Sequence, residues 1–150
     1  VGIVGLKKNI AEIEAIRKQL PDDIYLWVNA FKRAPNYYTT QDLERITTID
    51  PLFPKNNIRH PSKGKDCHTG HSVISINGDG DIRRCHFIKQ TIGNIYQANW
   101  EESLKPRPCT ASTCGCHIGY VHMPELKLDQ VYGDAILERI AHRDVYQKQN

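Results

Sequence analysis

The chain has 150 residues, a formal net charge of +3 and 39% hydrophobic residues. This length allows one domain with a real core, and so small a positive charge gives no argument for nucleic-acid binding. No apolar run approaches the roughly 20 residues of a membrane span, and nothing resembles a signal peptide. Five cysteines without an export signal indicate a reducing compartment, so we expect a cytoplasmic protein with no membrane or nucleic-acid partner.

The first elements have the pattern of a strand, a helix and a second strand. Residues 1–4 are a β-type run, Asn9 is a candidate N-cap, and Pro21 cannot continue a helix. Apolar residues recur at helical spacing between them: Ile10, Ile13, Ile16 and Leu20. Residues 24–28 form an apolar run typical of a parallel strand that is buried on both faces. We therefore predict a βαβ unit.

This unit would carry a surface ion pair but could not cover its own sheet. Glu14 and Lys18, one helical turn apart, are spaced to interact. Two parallel strands leave edges and faces that need neighbouring elements. We therefore expect residues 1–54 to be the last β/α segments of a larger (β/α) barrel whose first segments lie outside this sequence.

A polar loop follows the second predicted strand. Asn29 falls just past the carboxyl end of that strand, where β/α barrels carry their chemistry. We predict that Asn29 binds a cofactor and that neighbouring residues face substrate or cofactor: Ala30, Lys32, Asn36, Tyr37 and Tyr38. An ordinary connecting loop is the alternative interpretation.

A second helix is predicted after this loop. Thr39 and Asp42 have the spacing of a capping box. An apolar stripe follows them: Leu43, Ile46 and Ile49. Pro51 and Pro54 are expected to stop the helix and to begin an extended linker, which places a domain boundary between residues 54 and 66.

All five cysteines lie in one third of the sequence: Cys67, Cys85, Cys109, Cys114 and Cys116. Residues 72–76 favour a strand, residues 77–80 read Asn-Gly-Asp-Gly and predict a tight turn, and residues 81–85 form the return strand. This hairpin would bring Cys67 and Cys85 to one end, and the loop 109–116 would close the site. So many clustered thiols predict a metal site that holds zinc or an iron–sulfur cluster.

The cysteine spacing resembles that of a known family. Cys67, Gly80 and Cys85, with twelve and four residues between them, match the Cys-x(9–15)-Gly-x4-Cys opening of SPASM and twitch domains, which follow the barrel of many radical SAM enzymes. Residues 93–96 and 100–104 resemble the segment that follows in such domains, and the three later cysteines resemble theirs. Five thiols can fill one four-thiolate site, so the one-cluster twitch type is the closer likeness. The later spacing, Cys-x4-Cys-x-Cys where Cys-x2-Cys is commoner, leaves open which thiol is spare.

The resemblance implies that this chain is the C-terminal portion of a radical SAM enzyme and binds one auxiliary [4Fe–4S] cluster. It implies S-adenosyl-L-methionine and a second [4Fe–4S] cluster in a preceding part of the enzyme, because the Cys-x3-Cys-x2-Cys loop is not in this sequence. The chain alone is then not expected to cleave S-adenosyl-L-methionine. A peptide or small-molecule substrate and a reductant such as flavodoxin or ferredoxin would be partners. The catalytic residues and the reaction stay open.

Other interpretations of the cysteines remain. A zinc-stabilised, non-catalytic binding module is the main alternative, with His68, His86 or His117 as further candidate ligands. Five reduced thiols without metal would pack as small hydrophobic groups. A disulfide framework is less favoured because the count is odd, and a thiol redox sensor lacks a Cys-x-x-Cys pair.

A small basic patch surrounds the cysteines: Lys63, Lys65, Arg83 and Arg84. Solvated surface is its plainer interpretation, and contact with an anionic substrate group is the sharper one. Arg83, Arg84 and the nearby histidines would also offset the charge of clustered thiolates.

A final helix starts around Pro124 and Asp129. Its apolar positions are Leu128, Val131, Ala135, Leu137 and Ile140, with Gly133 weakening it. The predicted fold class is therefore α/β: the last units of a partial (β/α) barrel in residues 1–54, followed by a small α+β cysteine-rich domain in residues 55–150. That second domain would contain the β-hairpin and the C-terminal helix.

Overall fold

A computed structural model of the chain describes residues 1–133. These residues form a mixed α/β structure with three small sheets. They divide into two compact units, one made of residues 1–59 with 128–133 and the other of His60–Lys127. The mixed α/β class is confirmed. No barrel is present in the described residues, and the assignment of residues 1–54 and 55–150 to a barrel and a cluster domain stays a prediction.

The first unit opens with the predicted βαβ unit. Strand β1 (Gly2–Gly5) is followed by a 3-10 turn (Lys7–Asn9), helix α1 (Ile10–Gln19) and strand β2 (Trp27–Ala30). The two strands pair in parallel, with Gly2 opposite Trp27 and Gly5 opposite Ala30. The βαβ prediction is confirmed, although β2 begins and ends later than expected. Asn9 occupies the N-cap position without a capping hydrogen bond from its side chain.

Helix α2 (Thr40–Ile49) packs against α1. Its capping box is confirmed, since the Thr39 side chain accepts from the Asp42 amide and the Asp42 carboxylate accepts from the Thr39 amide. The hydrogen bonds from Arg45 and, to a smaller extent, the charge of Lys18 lower the pKa of the Glu14 carboxyl, so Lys18 acts on Glu14 as the spacing predicted but is not its main partner. Glu14 binds the guanidinium of Arg45 on α2 through two hydrogen bonds of 2.7 Å, because a planar guanidinium holds a carboxylate better than a neighbouring ammonium on the same helix does.

A buried apolar cluster joins β2 to α1 and α2: Ile10, Ile13, Leu26, Val28, Ala30, Tyr38, Ile46, Ile49 and Phe53. The carboxylate of Asp50 lies buried at its edge and accepts from the Tyr25 hydroxyl at 2.7 Å and from the Val28 amide at 2.8 Å. Burial and the negative charge of Asp50 raise the pKa of Tyr25 above its ordinary value. This bonded carboxylate fastens the end of α2 to the strand.

The segment after α2 differs from the expected extended linker. Helix α3 (Phe53–Asn56) forms there, with Pro54 in its first turn. Proline is well suited to that position because the first amides of a helix lack an intrahelical acceptor. Buried Asn56 donates to the carbonyl of Val28 at 2.7 Å, which attaches α3 to β2.

The second unit contains two small sheets. Strand β3 (His60–Pro61) pairs with the later strand β7 (Thr113–Cys114), whereas β4 (Ser75–Ile76), β5 (Asp81–Arg83) and β6 (Thr91–Asn94) form an antiparallel sheet in that order. A 3-10 turn (Trp100–Ser103) follows β6, and helix α4 (His117–Tyr120) follows β7. The predicted hairpin is confirmed with shorter strands, and β6 was not expected.

The hairpin turn owes its shape to Asn77 and Gly80. The Asn77 side-chain oxygen accepts from the amides of Asp79 at 3.1 Å and Asp81 at 2.8 Å. Gly80 has φ +81°, and a Cβ there would lie 2.5 Å from the Tyr96 ring, so only glycine fits. The turn therefore follows from its Asn-Gly-Asp-Gly sequence.

The described chain ends after a 3-10 turn (Pro124–Leu126) and helix α5 (Asp129–Tyr132). Gly133, at φ 56°, is the C-cap of α5. The predicted continuation of the final helix lies outside the described residues, at Ala135, Leu137 and Ile140. None of the helices in residues 1–133 is long and apolar enough to cross a membrane.

Candidate metal centre

The five cysteines belong to different segments of the second unit. Cys67 precedes β4, Cys85 follows β5 by two residues, and Cys109 lies in the loop before β7. Cys114 is in β7, and Cys116 is the N-cap of α4. All five are free, half-buried thiols.

Cys114 is the electrostatic centre of the group. The pKa of the Cys114 thiol is raised to about 11, mainly by burial, with smaller contributions from the neighbouring thiols of Cys109, Cys85 and Cys67. The thiols of Cys109, Cys85 and Cys67 are therefore close enough to Cys114 to interact with it electrostatically.

Cys116 has a different relation to this centre. Its backbone N–H donates to the Cys114 sulfur and lowers the Cys114 pKa, against the effect of burial. Its own thiol is not among the charges that act on Cys114. Hydrogen bonds of this kind stabilise anionic sulfur and tune metal–thiolate centres.

The Cys114 sulfur lies against the backbone of α4. A Cβ built on Gly119 would lie 2.7 Å from that sulfur and 3.7 Å from the ring of Phe87. Gly119 is itself buried. The close approach of sulfur to helix therefore depends on a residue without a side chain.

Arg84 connects the segments that carry three of the cysteines. The residue precedes Cys85 and is only 3% exposed. Its guanidinium donates to the carbonyl of Pro108, next to Cys109, and to that of Arg107 at 2.9 Å. It also reaches the Thr69 hydroxyl at 3.5 Å.

The positive charge of Arg84 has no carboxylate partner in the described residues. Its Nε is also buried without a hydrogen-bond partner. Burying a charge is costly unless an opposite charge compensates for it. A buried cation among neutral carbonyls would be stabilised by negative charge nearby, and thiolates in the three segments that Arg84 connects could supply that charge.

Cys67 is held by the segment that Arg84 contacts. The Thr69 hydroxyl donates to the Cys67 sulfur at 3.1 Å. Gly70, at φ +86°, follows it, and a Cβ there would lie 2.8 Å from the Cβ of Arg84. This glycine lets the Cys67 segment pass directly over the arginine.

Backbone hydrogen bonds fix the loop that carries Cys109. The Cys109 amide donates to Lys65 at 2.9 Å, and the Cys109 carbonyl accepts from Gly64 at 2.8 Å. The Ser62 amide donates to Ser112 at 3.0 Å. The approach to Cys67 and the Cys109 loop therefore run side by side.

The basic patch does not form a single surface. Arg84 is buried, so its interpretation as solvated surface was wrong. Lys65 is paired with Glu125 at 2.9 Å.

Of the candidate histidine ligands, His117 is buried with its ring 5.4 Å from that of Tyr120. The amide of His68 donates to the carbonyl of His122. Burial and the charge of His68 lower the pKa of His122. These contacts favour structural roles for His117 and His122.

The donor set fits a metal centre in kind and number, but its geometry is not that of a formed site. Four thiols share one neighbourhood, as a four-thiolate zinc or iron–sulfur centre requires. Within residues 1–133, however, no group of three or more His, Cys, Asp or Glu side chains is arranged to hold a metal ion. The sulfurs would have to draw together on binding.

Comparisons with known proteins gave no relative. No protein-family model matches the chain, and neither the curated proteins nor the solved structures gave a significant match.

The loop residues singled out in the first unit fall into two groups. Asn29 lies within β2, opposite Val4, and not after the strand as expected. Neither Asn29 nor Ala30 lines the cavity that follows β2, whereas four of the other residues do: Lys32, Asn36, Tyr37 and Tyr38. Binding of a cofactor by Asn29 stays a prediction.

The supporting residues of the cysteine centre were predicted only in part. The sequence suggested that Arg84 offsets thiolate charge, but it indicated neither the burial of Arg84 nor the roles of Thr69, Gly70 and Gly119. The position of Arg84, directly before Cys85 at the end of a predicted strand, was the one feature of the sequence that could have indicated its burial. Its burial depends on residues 107–108, more than twenty positions away.

Proposed function

We propose that this chain is the C-terminal part of a radical SAM enzyme and holds one auxiliary [4Fe–4S] cluster. Cys67, Cys85, Cys109 and Cys114 are the proposed ligands. Cys116 is the spare thiol, since its amide rather than its sulfur acts on Cys114.

The observation that carries this proposal is buried Arg84, whose guanidinium connects the segments that carry Cys67, Cys85 and Cys109. The guanidinium is 3% exposed and has no carboxylate partner in the described residues. Four thiolates bring excess negative charge, and an unpaired buried cation is destabilising. Each charge thus offsets the cost of burying the other, which is the expected arrangement around an anionic metal–thiolate centre.

The chain's own residues hold and tune the sulfurs. The Cys116 amide donates to Cys114, and the Thr69 hydroxyl donates to Cys67 at 3.1 Å. Hydrogen bonds to ligand sulfurs shift the reduction potential of such a centre by stabilising its negative charge. When bound by all four thiolates, the cluster would supply one-electron transfer, and it would offer an iron site for substrate only if one of the four thiolates were released.

The rest of the proposed enzyme follows from the resemblance in spacing. S-adenosyl-L-methionine and its [4Fe–4S] cluster would be held by a (β/α) barrel to which residues 1–54 contribute the last segments. A peptide or small molecule would be the substrate, and flavodoxin or ferredoxin the reductant. The mixed α/β unit with parallel β1 and β2 is compatible with such a segment.

A closed zinc site in a non-catalytic binding module is the second candidate. The same four thiols favour it, because zinc also takes four cysteine ligands. In that case the metal would serve folding alone.

Metal analysis of anaerobically purified protein tests the proposal. We expect about four irons per chain with sulfide, as a [4Fe–4S] cluster requires. One zinc per chain, with no iron after anaerobic reconstitution, would establish the zinc module instead. Protein that takes up neither metal would rule out both candidates.

Single Cys→Ser variants then test the ligand set, with Cys116→Ser as the matched control. Serine at position 67, 85, 109 or 114 should lower the metal content or alter the absorption spectrum of the centre, because each removes one thiolate from the metal. Cys116→Ser should keep its metal, since the backbone amide that contacts Cys114 remains. Loss of metal in Cys116→Ser but not in one of the other four would show that the ligand set is wrong.

A further inference from the structure

We infer that the first unit contains a separate binding site for a small ligand that joins an oxyanion to a flat ring. The site is a cavity of about 520 Å³ between the segment after β2 and the segment after α3. Small-molecule sites commonly have volumes of about 300–1,000 Å³. All of its lining lies between residues 31 and 59, within one compact unit.

Hydrogen bonds fasten the two walls together. The Lys32 ammonium donates to the carbonyl of Ile58 at 3.2 Å. The Arg59 guanidinium donates in return to the carbonyl of Lys32. The two walls of the cavity are therefore held together by hydrogen bonds from basic side chains.

The charge of the lining has one sign. Lys32, Arg33 and Arg59 line the cavity, and no acidic side chain among the described residues does so. The carboxylate of Asp42, which is next to Leu43 in the chain, accepts hydrogen bonds from the amide and hydroxyl of Thr39 and forms an ion pair with Lys7. Arginine guanidinium groups recognise phosphate and carboxylate through paired hydrogen bonds, so the cavity favours an oxyanion.

Aromatic rings form another part of the wall. The rings of Phe31 and Tyr37 lie 4.5 Å apart. The Tyr37 hydroxyl accepts from the Lys7 amide at 3.2 Å, and the Tyr38 hydroxyl accepts from the Phe31 amide at 2.8 Å. These bonds hold the rings in place along the wall, so a flat group in the cavity would meet aromatic side chains.

The cavity thus combines held aromatic rings with the guanidinium groups of Arg33 and Arg59, and no acidic side chain of the described residues lines it. Asn36, which also lines the cavity, has φ 50°, a left-handed conformation that asparagine adopts more readily than most non-glycine residues do.

Titration of the full chain with four small molecules tests this inference. Adenosine 5′-monophosphate and 4-hydroxybenzoate each carry a ring and an oxyanion, and adenosine and phenol are their uncharged counterparts. We expect at least one anion to bind in a saturable manner and more tightly than its counterpart. Preference for the first anion would identify a phosphate ligand, and preference for the second a carboxylate ligand.

Three variants locate the binding. Arg33→Gln and Arg59→Gln should each weaken anion binding by about tenfold, since each removes hydrogen bonds from a charged donor. Lys55→Gln, which removes an exposed cation on α3 outside the cavity, should leave the affinity unchanged. Arg33 is exposed, so its substitution is not expected to disturb folding, which circular dichroism checks.

Three outcomes would each overturn the inference. They are the absence of saturable binding of either anion at about 10 mM, binding of the uncharged compounds that is as tight as that of the anions, and the same affinity in all three variants. The 10 mM limit is far above the dissociation constants typical of enzyme substrates. The inference does not depend on the metal centre. Cys114→Ser should alter the metal centre but keep anion binding, whereas Arg33→Gln should keep metal, so failure of one proposal is distinguishable from failure of the other.

Discussion

Replacing Arg84 by methionine removes a buried cation and the hydrogen bonds that connect three cysteine segments. Two carbonyl acceptors, Arg107 and Pro108, would lose a charged donor. Hydrogen bonds to charged groups contribute about 1.5–3 kcal/mol each. Removing the charge also removes its desolvation penalty, which is several kcal/mol when no anion is near.

These opposing effects predict a result that depends on metal. In metal-loaded protein the thiolates compensate for the charge, so Arg84→Met should lower the free energy of unfolding by about 2–4 kcal/mol. In metal-free protein the recovered desolvation offsets most of that loss, and the change should be about 0–1 kcal/mol. Arg84→Lys should lie between, because an ammonium cannot reproduce the fork of donors.

Urea unfolding followed by circular dichroism, with and without metal, measures both values. Lys89→Met is the matched control, since it removes an exposed cation from the same unit. If Arg84→Met destabilises metal-free and metal-loaded protein equally, the guanidinium is a structural tie alone. The argument from charge compensation would then be refuted.

Two further predictions concern the metal site and the first unit. Gly119→Ala should lower metal occupancy, because the new Cβ would lie 2.7 Å from the Cys114 sulfur. Gly78→Ala is the control and should keep its metal, since a Cβ at that position would have no atom within 4 Å. Metal analysis of both variants tests this prediction. Asp42→Ala should cost about 1 kcal/mol at pH 7 through loss of the capping box. Hydrogen bonds from the Thr39 amide and hydroxyl hold the pKa of Asp42 below its ordinary value. Its contribution is therefore complete above about pH 4 and disappears as the pH falls through the folded-state pKa. Urea unfolding at several pH values should show the gap between the two proteins closing in acid, and a gap that stays constant would contradict this reasoning.

Local signals predicted the elements of the first unit well. Apolar spacing identified α1, and the Thr39–Asp42 capping box identified the start of α2. The turn at residues 77–80 likewise follows from its own side-chain bonds and from a glycine at positive φ. Such features are decided within a few residues, so a sequence pattern is enough to recognise them.

Contacts between distant parts of the chain could not be predicted from such local patterns. The hydrogen-bond partner of Glu14 is Arg45, 31 residues away, whereas its helical neighbour Lys18 adds only a smaller electrostatic contribution. Helix α3 formed where two prolines had suggested an extended linker, because Asn56 could reach the carbonyl of Val28. In both cases the deciding partner lies on another element.

By itself the sequence determined that the thiols are concentrated and which turn and helices surround them. Only the tertiary structure decided that Cys114 shares its surroundings with Cys67, Cys85 and Cys109, and that Arg84 is buried beside residues 107–108. The physical reason is that a sequence pattern reflects the local conformational preference of the backbone. Burial and charge compensation depend on what the folded chain brings together from distant positions.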